Sequence, residues 1–226
     1  MNLLEASTLV VPVVLAVTLH EAAHGFVAYR LGDDTAWQAG RVTFNPLKHV
    51  DLFGTIILPA ILLLSSSGRF MFGYAKPVPV NFRRLNHPRQ DMVWVAAAGP
   101  GTNVVLAIAS SLLLYGVGLM PANSADWVAT NLWNSIEFNA LICVFNMLPL
   151  PPLDGGRVAV GLLPDALAFP LARLERYGML ILLMLLFVLP FVGEQTGYNL
   201  NIFRWLVIPP ADAVIRFVLA ITGQSG

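Results

Sequence analysis

The chain is predicted to be an all-α polytopic membrane protein, and three observations carry that prediction. Of its 226 residues, 57% are hydrophobic and only 12% charged, against roughly 25% charged in a soluble domain, and the mean hydropathy is +0.70. Four apolar runs, residues 6–30, 92–119, 128–149 and 174–193, have the length a helix needs to cross a bilayer. No Gly/Ser linker, charge block or internal repeat separates them, so one integral-membrane domain over residues 1–226 is expected.

The first run follows Met1-Asn2-Leu3-Leu4-Glu5, which lacks a positively charged leader, so this helix is expected to stay in the protein. Residues 52–65 are apolar but short, and Pro59 interrupts them. On either side, residues 38–44 and 71–80 have strand character, and the second ends in Lys76-Pro77-Val78-Pro79-Val80. Prolines confine a strand to an edge. A small membrane-associated β element is therefore expected here, with Lys76, Val78 and Val80 offering an open edge to an extended peptide. The last run, 202–222, carries Arg204, Pro209, Pro210, Asp212 and Arg216 and reads as interfacial or as a weak span.

Charge orients these segments. Arg30, Arg41, Lys48, Arg69, Lys76, Arg83, Arg84 and Arg89 fall between the first two spans, and Arg157, Arg173 and Arg176 follow the third, whereas residues 1–29, 116–130 and 190–203 contain no Lys or Arg. Basic loops stay cytoplasmic. The expectation is a multi-pass protein of the cell membrane with its N-terminus outside and residues 30–91 and 150–173 in the cytoplasm. Segment 52–65, basic on both flanks, is then re-entrant or interfacial. A formal net charge of zero without a dense basic patch gives no reason to expect nucleic acid. The single cysteine, Cys143, excludes an intrachain disulfide and a thiolate metal cluster, and packing is its expected role.

The chemistry starts inside the first span, at Leu19-His20-Glu21-Ala22-Ala23-His24. Ionisable groups in a membrane helix are costly and mark function by default. Residues i and i+4 share a helix face, so His20 and His24 can reach one metal ion, with Glu21 beside the remaining position to take a proton from water. Two satisfied core histidines would be the plainer reading, but this helix is apolar on nearly all sides. A third ligand should come from elsewhere at the same depth. Asp154, in Pro151-Pro152-Leu153-Asp154-Gly155-Gly156-Arg157, follows the third span at the cytoplasmic end, toward which His20 also lies. Read alone, that run could be an ordinary turn with Arg157 at the headgroups.

Three motifs, His20-Glu21-x-x-His24, Gly99-Pro100-x-x-Asn103 and Asn146-x-x-Pro149-x-Pro151-Pro152-Leu153-Asp154-Gly155, together resemble the site-2 protease family of intramembrane zinc metalloproteases, peptidase family M50, in the family's order. The segment Gly73-Tyr74-Ala75-Lys76-Pro77-Val78-Pro79-Val80-Asn81 resembles its short bacterial branch, which lacks PDZ and CBS domains. The resemblance implies a three-helix catalytic core with additional helices, one Zn2+ held by His20, His24 and Asp154, and Glu21 as general base and acid. It also implies Asn146 as a group supporting substrate or transition state, with Asn103 in a supporting role. The partner would be a membrane protein cut in or near its transmembrane segment; oligomeric state and substrate identity are not implied. His49 and His87 are expected at the surface, and Glu137 in a polar helix contact. Two rivals stand: a prenyl-protein-peptidase type of membrane enzyme, whose third ligand would be a downstream Glu or His, and a non-catalytic metal-binding sensor or scaffold, against which an intact Glu21 argues.

Overall fold

In a computed structural model, which describes residues 3–65 and 73–224, the long apolar runs fold mainly as helices. Helix α1 (Leu3–Arg30) is followed by the short α2 (Thr35–Gln38) and α3 (Leu58–Ser65), then by the long α4 (Pro88–Val117) and α5 (Ala122–Asn146). The remainder forms α6 (Asp154–Leu162), α7 (Asp165–Arg173), α8 (Glu175–Leu183), α9 (Leu189–Thr196), α10 (Ile202–Leu206) and α11 (Ile208–Ile221). A π turn over Met184–Val188 joins α8 to α9. Among the described residues three stretches, Ser7–Arg30, Pro88–Val117 and Glu175–Thr196, are long and apolar enough to cross a membrane. They make the chain a membrane protein. The expected span at 128–149 folds as the 25-residue α5, long enough to cross but diluted by Asn131, Asn134, Glu137 and Asn139.

Helices α1, α4 and α5 pack against one another, with α6 laid on α4 and α11 across α5 and α4. Because apolar exteriors gain little by association in lipid, such bundles rely on close packing and interhelical hydrogen bonds. The α4–α5 contact is bridged by Ser110 and Ser135 hydroxyls at 2.8 Å, and α4–α11 by Ser111 and Thr222 at 2.7 Å. Pro12 lies inside α1 and has no N–H to offer the Thr8 carbonyl. Asn134 Nδ2 of α5 donates to that carbonyl at 2.8 Å, so a proline fault becomes a helix contact.

No β element forms among the described residues, which corrects the expectation for 38–44 and 71–80; residues 71 and 72 lie outside the described residues. The physical reasons are local. Gly40 takes a left-handed φ of 62°, which turns the chain where the first strand would run. In the second, Pro77 and Pro79 lack donors, and non-strand partners take those of Tyr74, Lys76 and Val78: Tyr74 N–H goes to the Gly54 carbonyl at 3.0 Å, Lys76 N–H to the His49 carbonyl at 2.9 Å and Val78 N–H to Glu21 Oε2 at 2.9 Å. Arg41 donates to the Lys76 carbonyl at 2.7 Å. Asn81 N–H donates to Asp33 Oδ2 at 2.6 Å just beyond α1, so the segment is tied at both ends.

Segment 52–65 is a π turn, Leu52–Ile57, running into α3. Its Leu52, Phe53, Ile56, Ile57, Ile61 and Leu64 are exposed, and at about 1.5 Å per residue its length falls short of the ~30 Å hydrocarbon core. His49 is not a surface residue: it is buried, with Nε2 donating to the Thr43 carbonyl at 3.1 Å, because the 3-10 turn Pro46–His49 folds it inward. His87 is exposed, just before α4. Glu137 is exposed on α5, while its neighbours Asn134 and Asn139 make the polar helix contacts. Cys143 is buried.

Candidate metal centre

Helical spacing places His20 and His24 on one face of α1, and that face is turned toward α4. Each imidazole is fixed through Nδ1: His20 Nδ1 donates to Asn103 Oδ1 at 2.6 Å and His24 Nδ1 to the Val95 main-chain carbonyl at 2.7 Å. With both protons on Nδ1, the two Nε2 atoms carry lone pairs, and they stand 3.1 Å apart. Asp154 Oδ2 lies 3.2 Å from His20 Nε2 and 3.3 Å from His24 Nε2. It is buried without a hydrogen-bond donor.

Three acceptor atoms facing one point in a buried place repel one another unless a cation lies among them. Their separations fit that cation. A tetrahedral ion with bonds of about 2.0–2.1 Å sets its ligand atoms about 3.3 Å apart. His20, His24 and Asp154 form the metal-competent cluster among the described residues, and two imidazoles with one carboxylate suit zinc.

Asp154 reaches the histidines because α5 stops at Asn146 and the proline run folds back. Asp154 is the first residue of α6. A Cβ at Gly155 would overlap the Met147 carbonyl, and one at Gly156 the Pro151 nitrogen, so the return is tight enough to require both glycines. Gly99 of α4 lies against the centre from the other side: a Cβ there would stand 2.5 Å from Nε2 of both histidines. Pro100 removes the helix bond to the Ala96 carbonyl, and in the same turn Val95 supplies the acceptor for His24.

Beside the cluster is a cavity of about 400 Å³, lined among others by Glu21, Val78, Val80, Asn146 and Arg157. Glu21 is half-buried, and Val78 N–H holds its carboxylate. Of the residues expected to serve a substrate, Asn146, Val78 and Val80 line this cavity. Lys76 is exposed and outside the lining, and Asn103 is buried behind His20. Sequence reasoning did not find Gly99 as a wall of the site, the Val95 carbonyl, Asn139 or the approach of Arg157. Gly99 carried a signal, since a glycine inside a helix admits a close neighbour. A main-chain acceptor has no letter.

Comparison with known proteins finds relatives named for this chemistry. The chain is 40% identical over 217 residues to "Putative zinc metalloprotease YwhC" of Bacillus subtilis, covering 93% of this chain and 94% of that protein. It is 32% identical over 176 residues to "Putative zinc metalloprotease Rip2" of Mycolicibacterium smegmatis, covering 76% of this chain and 63% of that protein. With "Putative zinc metalloprotease MJ0611" of Methanocaldococcus jannaschii it shares 30% identity over 139 residues, 62% of each chain. No family model and no solved structure matches it. With the first relative matched nearly end to end, and with a buried donor set that fits zinc, the chain belongs to the zinc metalloprotease family these proteins share, and zinc is its cofactor.

Proposed function

We propose that the chain is an intramembrane zinc metalloendopeptidase of the site-2 type, M50 family and short branch, that hydrolyses peptide bonds in or near a transmembrane segment of another membrane protein. The observation that carries this reading is the position of two of the three metal-competent side chains on α1, a helix of membrane-crossing length, beside a cavity that also holds Glu21. His20 is ten residues from Arg30 at the helix end, about 15 Å along the axis. Asp154 as the third acceptor disfavours enzymes that use a downstream Glu or His.

Bound by His20, His24 and Asp154, zinc supplies Lewis acidity toward a scissile carbonyl and acidifies a neighbouring water. Glu21 takes the proton from the attacking water and returns it to the leaving amide nitrogen. Asn146, in the cavity at the end of α5, donates to the substrate carbonyl. A helical substrate has its carbonyls engaged and must unwind first. In this reading Val78 and Val80 offer side chains to the unwound segment, with Lys76 at its exposed end, and the inward donors of Lys76 and Val78 serve the protein itself. The same proposal places one domain over 1–226 in the cell membrane, N-terminus outside, site toward the cytoplasm and 52–65 lying in or re-entering the near leaflet.

Glu21→Gln tests the assignment. It should keep its zinc and lose about 10²- to 10⁴-fold in cleavage of a membrane-anchored substrate, the worth of a general base. Asp154→Ala should lose zinc and cleavage together. Near-wild-type cleavage by Glu21→Gln would remove Glu21 from the base role, and full zinc content in Asp154→Ala would point to another third ligand.

A further inference from the structure

Behind His20, on the side away from the cavity, a row of buried polar side chains crosses three helices. Asn103 Oδ1 accepts from His20 Nδ1 at 2.6 Å, Asn103 Nδ2 donates to Asn139 Oδ1 at 2.8 Å, and Asn139 Nδ2 donates to the Ser135 main-chain carbonyl at 2.8 Å. Ser135 Oγ lies 3.2 Å from the same Nδ2 and 2.8 Å from Ser110 Oγ. Asn103 is 0% and Asn139 1% exposed, so neither amide can turn to solvent.

The row has a direction, and its far end sets it. A main-chain carbonyl can only accept, so Asn139 must present its NH2 to Ser135 and its oxygen to Asn103. Asn103 must then present its NH2 to Asn139 and its oxygen to His20. An oxygen facing Nδ1 requires the proton to sit there, which leaves the Nε2 lone pair facing His24 and Asp154. Turning either amide over would set like groups face to face at about 2.8 Å in a buried place, where an unmade hydrogen bond costs most. We infer that Asn139 is a positioning residue of the metal centre: acting through Asn103, it holds His20 in the Nδ1–H tautomer, the form able to ligate zinc through Nε2. The inference rests on the zinc reading above, and it gives Asn139 a role beyond helix packing.

The test uses the full chain in detergent with two readouts. In metal-free wild-type protein labelled with [15N]histidine, the His20 signal, assigned by its loss in His20→Gln, should show a proton on Nδ1. In Asn139→Leu that signal should shift toward a tautomer mixture, and zinc affinity by chelator competition should fall about 10- to 100-fold, as expected for an outer partner of a ligand. Asn139→Asp, which when protonated presents the same acceptor and donor, should restore both to within a few-fold. An Nε2–H tautomer in wild type would overturn the inference. So would wild-type zinc affinity in Asn139→Leu, or equal losses in Leu and Asp variants that follow their melting temperatures. If Asn139→Leu does not fold, the wild-type tautomer and the Asp variant still decide. If wild type binds no zinc while His20 keeps its Nδ1 proton, the metalloprotease reading fails and takes the metal-centre role of Asn139 with it, whereas zinc binding by a protein whose His20 carries no Nδ1 proton overturns the inference alone.

Discussion

At the scale of single residues, the metal site depends on one missing side chain as much as on its ligands. Gly99→Ala would bring a methyl within 2.5 Å of both Nε2 atoms, so the histidines must swing out and zinc content should collapse. Gly101→Ala, two residues on where nothing lies within 4 Å, should keep its zinc and gain up to about 1 kcal/mol in helix stability. Equal zinc content in the two variants would show that α4 yields at Gly99. Val78→Pro removes the N–H that holds Glu21 and should lower cleavage by about 10- to 100-fold, the worth of a hydrogen bond to a charge, with zinc retained; parallel loss of zinc would assign Val78 to the fold instead. The His20–His24 pair was legible because its chemistry has letters and its spacing a period, whereas Asp154, far downstream in a run that reads alone as a turn, was legible only beside that pair and the family resemblance. Gly99 was only half legible, since a small residue in a membrane helix fits a packing contact equally well, and the Glu21–Val78 bond was hidden because its donor is main chain.

At the scale of elements, the bundle turns helix faults into contacts. Pro12 deprives the Thr8 carbonyl of its helix donor and Asn134 supplies one from α5, so Asn134→Leu should destabilise the protein by about 0.5–1.5 kcal/mol, in the range of membrane hydrogen bonds. In a Pro12→Ala background, where residue 12 regains an N–H, the same change should cost less; an identical loss in both backgrounds would separate the two sites. The long helices were readable from apolar length, and the turn after α5 from its prolines. The β element was misread because alternation and proline describe an extended chain without saying what its donors meet. Here they meet His49 and Glu21, neither of which is a strand. His49 was misplaced for a related reason: a polar neighbourhood in sequence says little about how a short turn folds its last side chain inward.

At the scale of the whole molecule, the proposed orientation rests on where the basic residues fall. In a Cys143→Ser background, a cysteine at Asn123, exposed just inside the start of α5, should react with a membrane-impermeant thiol reagent outside intact cells, and one at Asn86, exposed before α4, should not. The reverse pattern would invert the topology. A last consequence follows from the ligands' placement on α1 and α6, far apart along the chain. A chain with one cysteine can form no covalent bridge of its own. Zinc shared by two histidines near the start and an aspartate far downstream closes that long loop in the disulfide's place, and it penalises unfolding because the open chain cannot keep all three donors together. Chelation should therefore lower the melting temperature of the wild-type protein and leave that of Asp154→Ala almost unchanged, with the bound ion acting as an internal cross-link.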